Sequence, residues 1–268
     1  MVVGCAGRVD GAYLSAGRGH RSAGDRFTEH LDYTRWTPDL AGLDPYHPVA
    51  TFSAAEGRVV PPPFDAAGYL EAIERCRDRF PDLRILTGLE LGEPHWHAEP
   101  TRRVLDAGSF DRVLGSQHCL PDGDTFREPP GLFARRPPEE VVTEYLSEIE
   151  RLVHESDVFA VLAHIDYPSR YWSASAATLD LARFEEAFRA ALRATAQSGR
   201  ALEINTVLPM DATILRWWHE EGGDAVSFGS DAHTPAALAR DFRAAAAMAT
   251  AHGFRAGPDP YDFWSRAS

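Results

Sequence analysis

Cysteine is scarce in this chain: Cys5, Cys76 and Cys119 are scattered, odd in number and form no C-x-x-C pair. That excludes a disulfide framework and a cysteine zinc knot, and it fits a reducing cytoplasm. Positive charge is short as well. Lys and Arg total 27 against 40 Asp and Glu, a formal net charge of −13, which argues against a general grip on nucleic acid or an anionic membrane. No run reaches the roughly 18 apolar residues of a membrane span. The stretch "VVGC" at residues 2–5 has no basic or apolar leader region before it and does not read as a lipoprotein signal. Also missing are a G-x-S-x-G elbow, a P-loop and a G-x-G-x-x-G after a strand.

What is present is an alternation of two patterns. "RILTGLELG" (84–92), "RVLGSQH" (112–118), "VFAVLAHID" (158–166), "ALEINT" (201–206) and "AVSFGSDAH" (225–233) are short runs rich in Val, Ile and Leu and read as buried strands. Between them, residues 65–79, 138–154, 180–198 and 235–251 carry helical periodicity. Such alternation predicts an α/β fold with a parallel sheet, closed or nearly closed into a barrel, and 268 residues fit one such unit. Two stretches fall outside it. Residues 119–138, with five prolines, read as a long loop over one barrel end, and residues 33–63 as a second excursion.

In strand–helix barrels the reactive groups lie at the C-terminal ends of the strands. Here those ends carry Glu90, His118, His164 with Asp166, and Asp231 with His233, while "RFTEH" ends in His30. Each alone has a plain explanation: a strand-end histidine is more often a hydrogen-bonded structural residue, and Asp231 would cap the helix near Pro235. Glu90 is harder to dismiss, because a carboxylate among apolar strand neighbours costs several kcal/mol unless paired or metal-bound. Together they predict a polynuclear site. Imidazole and carboxylate donors without thiolate suit Zn, Mn or Fe. Such ions would supply the positive charge that the acidic chain lacks, and metal-assisted phosphoester hydrolysis is the chemistry expected of them.

"FTEHLD", "LTGLELGE", "LGSQH", "LAHIDYPSR", "LEINT" and "FGSDAH", in that order over roughly residues 27–250, resemble the PHP (polymerase and histidinol phosphatase) superfamily, in its histidinol-phosphatase-like branch. The resemblance implies a distorted (β/α)7 barrel, two or three divalent ions, a small phosphorylated substrate with L-histidinol phosphate as the best candidate, and a place in histidine biosynthesis. It implies metal ligation by His30, Glu90, His118, His164, Asp231 and His233. Glu90 would bridge a first and a second metal and Asp231 would complete the first; these two are the expected catalytic residues. His118 and His164 would hold the second, and His30 and His233 would belong to a third. Arg170, in "DYPSR", is expected to grip phosphate, since its fork suits that group, and Asn205 to line the same mouth. Arg135 and Arg136 could reach substrate from the long loop.

The resemblance fails at the start. The family begins with a strand carrying His-x-His, whereas residues 1–26 are rich in Gly, Arg, Ala and Ser and hold only His20. The first strand is therefore expected to be missing or irregular, even "SAGDR" spoiling the strand before "FTEH". Residues 1–26 are expected to be disordered or out of frame, with the barrel domain spanning 27–268. A His-x-His codon pair in another upstream frame would bear this out. His95 and His97, in "GEPHWH", offer a replacement His-x-His or a substrate contact, although Pro94 leaves their shared face unassured. His47, His154, His219 and His252 receive no role. Two other readings stay open: a catalytically impaired paralogue without the full cluster and, with less support, a nuclease of the same superfamily.

Overall fold

The computed structural model describes residues 2–4, 24–38, 57–172, 179–259 and 262–267. Seven parallel strands form the frame: β1 (Val2–Gly4), β2 (Gly24–Leu31), β3 (Arg84–Gly92), β4 (Arg112–Ser116), then, past a small hairpin of β5 (Leu120–Asp122) and β6 (Thr125–Arg127), β7 (Val161–Leu162), β8 (Ala201–Asn205) and β9 (Ala225–Gly229). They pair in that order, β5 and β6 apart. β1 also pairs with β9, Val2 opposite Gly229, so the ends of the series meet. The first strand is thus short rather than missing: "VVG" is apolar enough to pair, at Val2–Arg26, Val3–Phe27 and Gly4–Thr28. β2 likewise runs through Gly24, Asp25 and Arg26 in register with Arg84, Ile85 and Leu86; pairing with β3, joined at Arg26 by β1, overrides the poor strand propensity of "GDR". Residues 5–23, including His20, and His47 lie outside the described residues.

β10 (Phe254–Arg255) and β11 (Trp264–Arg266) add an antiparallel ribbon. β11 covers the start of β9, Trp264 opposite Val226, while β1 takes its end. Two short strands thereby share one edge that would otherwise be open.

The helices cover the outside. They are α1 (Ala66–Arg79), α2 (Ala98–Asp106), α3 (Pro129–Phe133), α4 (Pro138–Glu155), α5 (Glu185–Gln197), α6 (Ala212–Glu220) and α7 (Phe242–Ala251). α4 shows why: Val141, Val142, Tyr145, Leu146, Ile149, Leu152 and Val153 recur at helical spacing and are all buried. They join Phe188 of α5, Trp217 and Trp218 of α6 and Leu202 of β8 in the largest core cluster. Asp65 and Asp211 cap α1 and α6 by accepting from Gly68 N at 3.0 Å and Thr213 N at 2.8 Å.

The sequence reading needs correction in four places. The helix expected over 180–198 begins as a 3-10 turn, Leu181–Phe184, and that over 235–251 keeps only a 3-10 turn at Pro235–Ala237 before α7. The proline-rich stretch 119–138 is not structureless, since it folds into the β5–β6 hairpin and α3. The strand expected over 158–166 contracts to Val161–Leu162. No described helix is long and apolar enough to cross a membrane.

Candidate metal centre

Strand register does most of the assembly. In the β2–β3 pairing His30 stands directly opposite Glu90. β4, β7 and β9 end at Ser116, Leu162 and Gly229. Two residues beyond each end come His118, His164 and Asp231. Parallel strands put those ends on one rim.

Two groups of side chains converge closely enough to hold an ion, each with its ligand atoms within 4.8 Å of one another: His30, Asp231 and His233, and His30, Glu90 and His118. His164 joins the second through its Nε2, 2.9 Å from Glu90 Oε1, and His118 Nε2 lies 3.2 Å from the same oxygen. All six expected ligands thus gather at one rim, but in a different grouping. Asp231 sits with His30 and His233, and His30 is common to both groups.

The electrostatics fit a place prepared for cations. Burial alone would raise Glu90, yet His30, His118 and His164 hold it well below the usual carboxylate range. Burial would likewise raise Asp231, but Arg170 brings it down. Burial lowers His118 and His30, and the surrounding carboxylates Asp32 and Glu90 more than reverse this, leaving both raised. His164 stays lowered because burial outweighs Glu90, and its Nδ1 is buried without a partner. The imidazoles of His30 and His118 sit beside carboxylates that favour their protonated forms, in positions where a divalent ion would take the place of a proton. The donors are nitrogen and oxygen only, a set that suits zinc and its neighbours. The residues present therefore fit a metal site of two overlapping groups. β1, where the resemblance implies a histidine pair, carries Val2, Val3 and Gly4.

Four carboxylates at the rim escaped the sequence reading. Asp32 Oδ1 lies 3.3 Å from His118 Nδ1 and so orients that ring, while its Oδ2 stands 3.5 Å from His30 Nδ1 as a charge contact without a hydrogen bond. Glu93, buried, accepts from the backbone N–H of His118 at 2.6 Å and of Cys119 at 2.8 Å, and from Thr34 Oγ1 at 2.6 Å. Glu203 accepts from His164 N and Asn205 Nδ2, both at 3.1 Å, and burial pushes it up to about 8. Burial likewise lifts Glu128 to about 7. Glu203, in "ALEIN", carried the same signal as Glu90, a carboxylate inside an apolar strand. Strain marks the rim too: Glu93 and Asp231 adopt φ of 45° and 44°, conformations that cost about 1–3 kcal/mol each and persist only where surroundings enforce them.

The other expected site residues are placed as follows. Arg170 Nη1 donates to Asp231 Oδ2 at 2.9 Å, and its Nη2 is buried without a partner. Asn205 holds Glu203 and accepts from Val207 N at 3.0 Å, which makes it a brace of the turn after β8. His97 Nε2 lies 2.9 Å from Thr34 Oγ1, on the far side of Glu93. The side chain of His95 has no exposed surface; its Nε2 lies 3.4 Å from Glu148 Oε2 on α4. Neither histidine is in either candidate group. Asp166 is buried in the turn where its carbonyl accepts from Ser169 N. Arg135 pairs with Asp122 at 3.2 Å, and Arg136 pairs with Glu144.

The PHP domain family model matches residues 26–207. A histidinol-phosphatase of Lactococcus lactis is 26% identical over 215 residues, covering 77% of this chain and 71% of its own. The crystal structure of histidinol phosphate phosphatase from the same organism, complexed with zinc, L-histidinol and phosphate, matches the fold with a TM-score of 0.77 at 21% identity. That match covers 95% of this chain and 94% of the other.

Proposed function

The chain belongs to the PHP domain family, whose model spans most of its length, and from that premise we propose that it is a metal-dependent phosphatase hydrolysing L-histidinol phosphate to L-histidinol and phosphate. The observation that carries this reading is the convergence of His30, Glu90, His118, Asp231 and His233 at one rim, with Arg170 anchored on Asp231 beside them. The similar Lactococcus lactis structure holds zinc, L-histidinol and phosphate, which supports both the metal class and the substrate.

Asp231 and His233 would hold one ion and Glu90, His118 and His164 another, with His30 in reach of either, and zinc, manganese and iron are all suited to such donors. When bound, such ions activate water and neutralise phosphoryl oxygens. The chain's own residues do the rest. Asp231 fixes one end of the Arg170 guanidinium, so that the unpartnered Nη2 can donate to a phosphate oxygen in a preset direction. Glu93 pins the backbone of His118, and Asp32 its ring. The phosphorus–oxygen ester bond breaks, water supplies the new oxygen on phosphorus, and its proton ends on the leaving alkoxide. We place the enzyme in the cytoplasm, acting on a small molecule rather than on nucleic acid, in keeping with its charge of −13.

A second reading, favoured by the absence of histidine from β1, is an impaired paralogue that holds fewer ions and turns over slowly. Phosphate release from L-histidinol phosphate separates the two. The enzyme reading expects turnover with zinc or manganese and loss of it on chelation. No release under either metal would leave the paralogue.

A further inference from the structure

The two candidate metal groups are built from unequal amounts of protein. Around Glu90, which is 3% exposed, three imidazoles gather: His118 and His164 reach its Oε1 at 3.2 and 2.9 Å, and His30 belongs to the same group. Four such donors suffice for a zinc ion in a closed site. The Asp231 group is poorer. Apart from the shared His30 it has only Asp231 and His233, and His233 is exposed. β1 runs between β2, which carries His30, and β9, which leads to Asp231. Its residues Val2, Val3 and Gly4 bring no donor side chain to either.

Asp231 is also partly engaged already. Its Oδ2 accepts from Arg170 Nη1 at 2.9 Å, while its Oδ1 stands 3.6 Å from His233 Nδ1. The guanidinium overlies the Tyr167 ring at 5.1 Å, a second contact that keeps it in place. A fixed positive charge on a ligand carboxylate opposes a cation at that carboxylate. At the same time Arg170 Nη2 is buried without a partner, and a charged donor left so is costly. The Asp231 group is therefore short of ligand oxygens and of negative charge, and the arginine beside it is short of an acceptor. One tetrahedral oxyanion meets both needs. One of its oxygens accepts from Nη2, another completes the ligands of the ion, and its charge offsets the repulsion between ion and guanidinium.

We propose that the Asp231 group takes up its ion together with phosphate, Arg170 coupling the two, whereas the Glu90 group binds zinc by itself. The proposal rests on the phosphatase reading above and gives the order in which that centre fills. The coupling is reciprocal: the factor by which phosphate tightens the second zinc is the factor by which that zinc tightens phosphate. In the test, the full chain is stripped with a chelator and dialysed against zinc-buffered solutions with and without inorganic phosphate, and zinc per chain is counted by elemental analysis. Two steps are expected, phosphate tightening the second on the order of tenfold and leaving the first unmoved. Calorimetric titration with inorganic phosphate should show the same factor between chains holding one zinc and two. Arg170→Gln, which removes the charge beside Asp231 and the donor to the anion, should abolish the phosphate effect. His233→Ala, a change at an exposed position, should keep the first step and lose the second, and it decides the matter even if Arg170→Gln folds poorly. A wild type whose zinc content ignores phosphate would overturn the coupling. So would a phosphate effect undiminished in Arg170→Gln, or a second step retained in His233→Ala. Coupled binding without hydrolysis of L-histidinol phosphate would support the proposal and overturn the phosphatase reading alone, and a chain that takes up no zinc under either condition would overturn both.

Discussion

Asp32 is the residue on which the geometry of the candidate centre turns. It touches the rings of His30 and His118, and His30 belongs to both candidate metal groups. A carboxylate behind an imidazole fixes its tautomer and raises its basicity, and removal of such a partner costs about 10- to 100-fold in metal affinity. Asp32→Asn should therefore weaken zinc binding by that factor in competition with a chromophoric chelator while far-UV dichroism stays constant; unchanged affinity would remove Asp32 from the centre. The expected ligands were legible one at a time because each stands at the end of an apolar run, where a charged or imidazole side chain is conspicuous. Asp32 and Glu93 stand just past the ends of β2 and β3, after Leu31 and Gly92, and Glu128 just before Pro129 and Pro130, places where a carboxylate looks like any turn residue, and only the folded chain shows them buried or in contact with the imidazoles.

Elements with a clear period could be read, and those built by packing could not. β3 and α4 are long, with every apolar position at its proper spacing, and their expected bounds match the observed ones to within a residue. The β5–β6 hairpin consists of three-residue strands joined by Gly123 and Asp124, with Gly123 at φ 66°. Gly-Asp at such a place, with glycine at the first central position, is a turn signal, but the flanking strands are too short to show alternation. β7 is only two residues long, and Phe159, just before it, packs over Gly115 of β4. A Cβ on Gly115 would come within 2.6–2.8 Å of the Phe159 ring. Overpacking of this kind costs about 1–3 kcal/mol, so Gly115→Ala should lower the urea midpoint by a corresponding amount and, by shifting β4, disturb His118 as well. An unchanged midpoint would mean that Phe159 has room to turn away.

At the scale of the whole molecule, a net charge of −13 and a rim of buried carboxylates make an unfavourable balance that cations correct. Glu90, Asp231 and Asp32 have their pKa values lowered there by neighbouring imidazoles and Arg170. His30 and His118 carry raised pKa values because of those same carboxylates. Zinc and protons thus compete for the two imidazoles. A ligand that binds only the folded state stabilises it by about 2.7 kcal/mol at a hundredfold excess over Kd, which for a chain of this size is a rise of about 5–10 °C in Tm. The sign of the pH dependence follows from the raised histidines. As pH falls through their range the imidazoles hold their protons and zinc must displace them, so the zinc-induced rise should be larger at pH 8 than at pH 6. Thermal melts with excess zinc and with EDTA at the two pH values check this. Coincident melts at both would mean that the rim is a charge-paired cluster of the protein's own making, with its imidazoles serving where metal ions were expected.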